Sequence, residues 1–175
     1  MGLVLPIVLS GVAIFFASFL SWMVLQLHRS DWIKLSCEDD FLASARQWNL
    51  SPGNYMFPGC DSPKDMQSDE YKQKFEAGPT GVITVFTKMG MGPKLGLTML
   101  YFLGVNAGLA FLASRALPPD ATFGTVFVFV GSAGVMIFLG AIVQHAIWFR
   151  NRIVGHIVES IAYGAIAGVI FGALW

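Results

Sequence analysis

Three histidines, one glutamate and one glutamine have the types and spacing that could support chemistry in a largely apolar chain. Gln144 and His145 lie near the end of one apolar segment, and His156 and Glu159 lie near the start of the next. If the chain reverses between these segments, antiparallel helices place His145 level with His156, and Glu159 one turn further along the same face. His28 ends the first apolar segment. All three histidines are therefore expected to gather at one depth.

Imidazole and carboxylate groups at one depth suggest a haem or metal site. Imidazoles are good axial or direct ligands, and a neighbouring carboxylate can bind the metal or orient a ligand. One hypothesis is therefore a membrane redox protein that binds haem or a transition metal through His28, His145 and His156. The sequence contains no local ligand motif such as HExxH. A simpler interpretation is that the histidines are interface residues, with Glu159 paired to Arg152 or His156.

Glu159 also suggests a proton or ion path, because it is the only acidic residue well inside an apolar segment. Burial disfavours the charged form of a carboxyl group, so such a residue is usually functional in a membrane. Gln144 and Asn106 could extend a polar route from it. The corresponding hypothesis is a small proton-coupled carrier.

Four long apolar segments must position these residues. In the whole chain 55% of residues are hydrophobic and 13% are charged, against about 25% charged in an ordinary soluble domain. Crossing the hydrocarbon core takes about 20 apolar residues. The segments that meet this requirement are Leu3–Leu27, Leu95–Ser114, Phe123–Phe149 and Ile153–Trp175. The predicted fold is thus an all-α integral membrane protein with four transmembrane helices.

The polar segment 28–94 between the first two spans is predicted to be a small α+β domain. Ser36 is expected to cap a helix with acids in its first turn, and a second helix is expected to begin at Ser68. Gly81–Thr87 is rich in β-branched residues, which favours a strand. Because a lone strand is unstable, Tyr55–Phe57 is its predicted partner.

Basic residues near the span ends predict the orientation. Arg29, Lys34, Arg46, Lys88, Lys94, Arg150 and Arg152 fall on one side, and only Arg115 falls on the other. The positive-inside rule therefore predicts a cytoplasmic segment 28–94, with both termini outside. Cys37 and Cys60 should then be free thiols, since the cytoplasm is reducing. The whole pattern is typical of small bacterial inner-membrane proteins.

Small residues on the spans predict close helix packing. Gly164, Gly168 and Gly172 recur at intervals of four, which aligns them on one helix face where another helix can approach. The sequence carries no P-loop and no GxSxG, so it does not predict an enzyme. Zero net charge without a basic block gives no sign of nucleic-acid binding. The leading hypothesis is an accessory or assembly subunit of a larger membrane complex. Its partners would be lipid and other membrane subunits or a second copy.

Overall fold

A computed structural model describes residues 2–149 and 151–175. Four of its helices are long and apolar enough to cross a membrane, which confirms the prediction of four such helices. Their bounds are Val4–Val24, Met91–Ala116, Phe123–Phe149 and Val154–Leu174. We call the last three α4, α5 and α6. Within the first helix, α1 is Val4–Phe19, and Leu20–Val24 continues it as a π-helix.

The chain divides into two compact units. The first, which we call the bundle, contains the residues up to Ile33 and those from Met91 onward. The second, which we call the cap, is Lys34–Gly90. His28 belongs to the bundle, although it falls within the polar segment 28–94 of the sequence prediction.

The bundle has an apolar core between its four helices. Ile14, Leu109, Val130 and Phe171 are fully buried, one from each helix. An indole N–H of Trp175 donates to the carbonyl of Pro118 at 3.0 Å, so the C-terminus lies beside the loop that joins α4 to α5.

The cap contains two α-helices, a short 3-10 helix at Asp65–Gln67 and a small sheet. Helix α2 is Glu38–Trp48, and α3 is Asp69–Ala77. Strand β1, Gly53–Phe57, pairs antiparallel with β2, Gly81–Val85, which confirms the predicted sheet.

Local interactions fix the ends of the cap helices. The Ser68 hydroxyl accepts a hydrogen bond from the Tyr71 N–H, as expected of a helix cap. The predicted cap of α2 is wrong: Cys37, not Ser36, precedes the helix, and it makes no side-chain capping bond. In α3, a hydrogen bond from the Lys74 ammonium to Glu70 lowers the pKa of that carboxyl group.

Cys37 and Cys60 are free and exposed. The expectation of free thiols therefore agrees with the structure. Arg150, which was counted among the positive residues at one end of the spans, lies outside the described residues.

Candidate functional site

The site begins where the first helix loses its regular geometry. After α1, the π-helix Leu20–Val24 widens the turn, and Leu25 donates its N–H to the carbonyl of Leu20. Such turns occur frequently at functional sites. Gln26 then adopts a positive φ of 50°, which ends the helix and starts a tight turn. The turn brings His28 back against the bundle, where only 3% of the residue is exposed.

His28 faces a carboxylate with each of its ring nitrogens. Nδ1 lies 2.7 Å from Oδ2 of Asp31, which is a hydrogen bond within the turn. Nε2 lies 3.1 Å from Oε2 of Glu159 on α6, close enough for an ion pair. The angles between Nε2 of His28 and the Glu159 carboxylate are not those of a hydrogen bond. Nε2 therefore has no hydrogen-bond partner among the described residues. The Trp22 ring stacks on the imidazole with centroids 4.1 Å apart.

The first turns of α6 supply the other half of the site. His156 and Glu159 are three residues apart, which places them on one helix face. The His156 ring centroid is 4.5 Å from that of His28, and its Nδ1 is 3.8 Å from Oε2 of Glu159. Gly155 permits this contact: a Cβ atom there would lie 2.8 Å from Cε1 of His28. We call His28, Asp31, His156 and Glu159 the His–carboxylate cluster.

Glu159 is the most buried acid of the cluster. Only 8% of the residue is exposed, and its Oε1 atom is buried without a hydrogen-bond partner in the described part of the chain. Burying a carboxylate is costly unless a charge or a cation faces it. The cluster can therefore hold a proton between a histidine and a carboxylate, or a cation among them.

His145 does not join this cluster. Its side chain is exposed, its Nδ1 lies 2.7 Å from the Asn151 amide, and its ring lies 4.5 Å from that of Phe149. The structure thus brings together two of the three predicted histidines. The physical reason is helix rotation: the partners of His145 are the end of its own helix and the following turn, and these direct the ring away from His28.

The residues predicted to extend a polar route are also separate from the cluster. Gln144 is exposed. Asn106 is fully buried in α4, donates from Nδ2 to the carbonyl of Phe102, and has a buried Oδ1 without a hydrogen-bond partner. Among the residues that the structure describes, neither side chain makes a hydrogen bond or an ion pair with Glu159.

The predicted glycine face of α6 packs against α5. A Cβ atom on Gly164 would lie 2.6 Å from the carbonyl oxygen of Gly131, and one on Gly168 would lie 2.8 Å from that of Phe127. Gly172 similarly meets Phe123 at 2.8 Å. These three glycines therefore pack against α5 within the chain.

Glycines of α4 have a different environment. Gly104 and Gly108 are four residues apart, which places them on one side of the helix, and a Cβ atom on either would meet nothing within 4 Å. This small-residue face of α4 is open in the described structure.

Asp31 and Trp22 belong to the site but were not predicted. A signal for Asp31 was present, because it follows His28 by three residues, which suits a side-chain bond across one turn. Trp22 offered no such signal, since its stacking depends on the π-helix and on the positive φ of Gln26.

The fold and the site together define a four-helix protein of membrane type with a His–carboxylate cluster at one end of its bundle. Comparison with protein-family models, with curated proteins and with solved structures finds no match to this chain.

Proposed function

We propose that this chain is an accessory or assembly subunit of a larger complex in the bacterial inner membrane, and that the cap is its main docking surface. One observation carries the proposal: no residue of the cap is buried. Small domains are marginally stable even with a core, because they bury a small share of their surface. A cap without one needs additional contacts to hold a single structure.

Apolar side chains of the cap are available for those contacts. Trp48 on α2 is 51% exposed, and Phe75 on α3 is 55% exposed. On the outer face of the sheet, Met56 and Val82 stand opposite each other and are also exposed. Aromatic residues and methionine are enriched in protein interfaces, whereas scattered polar surface is not.

Backbone groups of the sheet offer a second kind of contact. The sheet has only two strands, so each strand has one unpaired edge. A two-stranded sheet is marginal in water, and an added strand from a partner would stabilise it. Between α2 and β2, a groove of about 310 Å³ lined by Phe41, Trp48 and Ile83 offers a further apolar surface.

The open glycine face of α4 supports docking within the membrane as well. Small residues let a second helix approach closely, and membrane helix association depends on such packing. The corresponding glycines of α6 are already used by α5. An additional membrane subunit or a second copy would therefore pack on α4.

We also propose an orientation of the chain in the membrane. Arg29, Lys94 and Arg152 flank the bundle helices at the end that carries the His–carboxylate cluster, and Arg115 flanks them at the other. The positive-inside rule then directs the cluster end and the cap to the cytoplasm, with both termini outside.

Gentle extraction from the native membrane, followed by native mass measurement, tests the proposed function. We expect the chain to migrate with at least one other polypeptide. A Val82→Glu variant should lose that polypeptide, because a charge on the exposed sheet face opposes apolar docking. A Lys64→Glu variant, also in the cap, is the control and should retain it. A chain that runs alone or only as a homo-oligomer would refute the accessory role.

A further inference from the structure

We propose that His28, His156 and Glu159 bind one divalent first-row transition-metal ion, with Asp31 orienting His28. This site goes beyond the docking role and does not depend on it. Two imidazoles and one carboxylate are a ligand set that zinc and non-haem iron both use in proteins, with further positions left for water or substrate.

The two separations measured from the Glu159 carboxylate suit a single ion. Zinc–nitrogen and zinc–oxygen bonds are about 2.0–2.2 Å, so two ligand atoms of a tetrahedral site are roughly 3.4 Å apart. Oε2 of Glu159 lies 3.1 Å from Nε2 of His28 and 3.8 Å from Nδ1 of His156. The two separations bracket the required value, and shifts of a few tenths of an ångström would equalise them.

The protonation of His28 leaves a lone pair that needs a cation. A carboxylate accepts hydrogen bonds and donates none, so Nδ1 must carry the proton that it shares with Asp31. In the neutral ring, Nε2 is then unprotonated, and it lies 3.1 Å from Oε2 of the Glu159 carboxylate. Two electron-rich atoms 3.1 Å apart require a proton or a metal ion between them.

Burial favours the metal. Nε2 of His28 and Oε1 of Glu159 are both buried and have no hydrogen-bond partner in the described part of the chain. Leaving such atoms unsatisfied is costly. A doubly protonated His28 does not satisfy Oε1 of Glu159, whereas a metal with a bound water or a bidentate carboxylate does.

The surroundings of the ligands are typical of metal sites in proteins. A carboxylate that accepts a hydrogen bond from a ligand histidine fixes the tautomer and ring orientation, and Asp31 does this for His28. Trp22 covers one face of the His28 ring, and Gly155 leaves the space in which α6 approaches the ring edge.

Haem does not fit the same residues. Two trans imidazoles on a haem iron have ligand nitrogens about 4 Å apart, with the ring centroids further apart and the porphyrin between them. The His28 and His156 centroids are only 4.5 Å apart, and the rings are tilted by 47°. His145, the third predicted ligand, lies outside the cluster. A single metal ion is the group that the geometry accommodates.

Metal titration of the full-length protein in detergent tests this site. A Cys37→Ser/Cys60→Ser background removes the two exposed thiols as competing ligands. After treatment with a chelator, the protein is titrated with Zn²⁺, and with Co²⁺ as a visible-absorption probe. We expect one ion per chain, and Co²⁺ bands of a four- or five-coordinate site that Zn²⁺ displaces.

Variants assign the ligands. His28→Ala and Glu159→Gln should abolish the Co²⁺ bands, and Asp31→Asn should weaken binding by about 10–100-fold. His145→Ala is the control and should bind as the parent does. If His28→Ala fails to fold, His156→Ala provides the same test at a less buried position, where 27% of the side chain is exposed. Absence of Co²⁺ bands in the folded parent, or equal loss in His145→Ala, would overturn the proposal in favour of a proton held between His28 and Glu159.

Discussion

Nε2 of His28 lies 3.1 Å from Oε2 of Glu159, and this contact joins the end of the first helix to the start of the fourth. The two residues are far apart in the sequence, and each is at least nine-tenths buried. The contact joins the turn after the first helix to α6, whereas the pairs His28–Asp31 and His156–Glu159 each lie within one segment. We therefore expect variants that disturb this contact to lower the free energy of unfolding.

Removing His28 should destabilise the bundle. In His28→Ala, Glu159 keeps its buried carboxylate but loses the facing imidazole. Breaking a buried pair in this way costs about 3–5 kcal/mol. Reversible unfolding in detergent should show this loss. His145→Ala, at an exposed position, should change the unfolding free energy little, and an equal loss in the two variants would contradict the role of His28.

Adding one methyl group at Gly155 should disturb the same contact. In Gly155→Ala the new Cβ would lie 2.8 Å from Cε1 of His28, so the ring or α6 must move. Overpacking of this kind costs about 1–3 kcal/mol. Gly104→Ala, where nothing lies within 4 Å, is the matched control and should be neutral. Thermal unfolding of the pair checks the prediction, which fails if both variants melt together with the parent.

The α5–α6 interface should be equally sensitive to a methyl group. In Gly164→Ala the added Cβ would lie 2.6 Å from the Gly131 carbonyl oxygen, a backbone atom that cannot rotate away. We expect a lower unfolding temperature and a loss of at least about 1–3 kcal/mol. Gly108→Ala on the open face of α4 should keep the parent unfolding temperature. For Gly108→Ala we would instead measure association with partner polypeptides, because the added methyl group occupies part of the open face of α4.

Exposed thiols offer a test of orientation. Cys37 and Cys60 lie in the cap and are free, so both should react with a membrane-impermeant maleimide once it reaches them. With a cytoplasmic cap, intact cells should give no labelling, and inverted membrane vesicles should give two labels per chain. Labelling in intact cells would place the cap outside. A Cys37→Ser/Cys60→Ser protein controls for other reactive groups.

Apolar composition and strand chemistry made much of the fold predictable. The helices need only length and a lack of charge to be recognised, and the β-branched run near Ile83 needs a partner such as the strand around Tyr55. These features follow from local sequence. The bounds were less predictable: α4 begins at Met91, four residues before the predicted span, because Gly92 and Pro93 are tolerated in its first turn.

The candidate site was predictable only in part. His28, His156 and Glu159 do meet, because antiparallel connection of the helices brings their ends together. The position of His145 depended on helix rotation, which apolar periodicity cannot determine in a helix that is apolar on every side. Asp31 depended on the turn that follows Gln26, whose positive φ occurs without a glycine to signal it.

We propose above that the cap binds another protein through its exposed apolar surface. Site-specific photocrosslinking in the native membrane tests it most directly, with the photoreactive residue at Val82 on the outer sheet face and, as control, at Lys64. We expect a discrete protein adduct from position 82 and none from position 64. Adducts with lipid alone, or the same products from both positions, would contradict it.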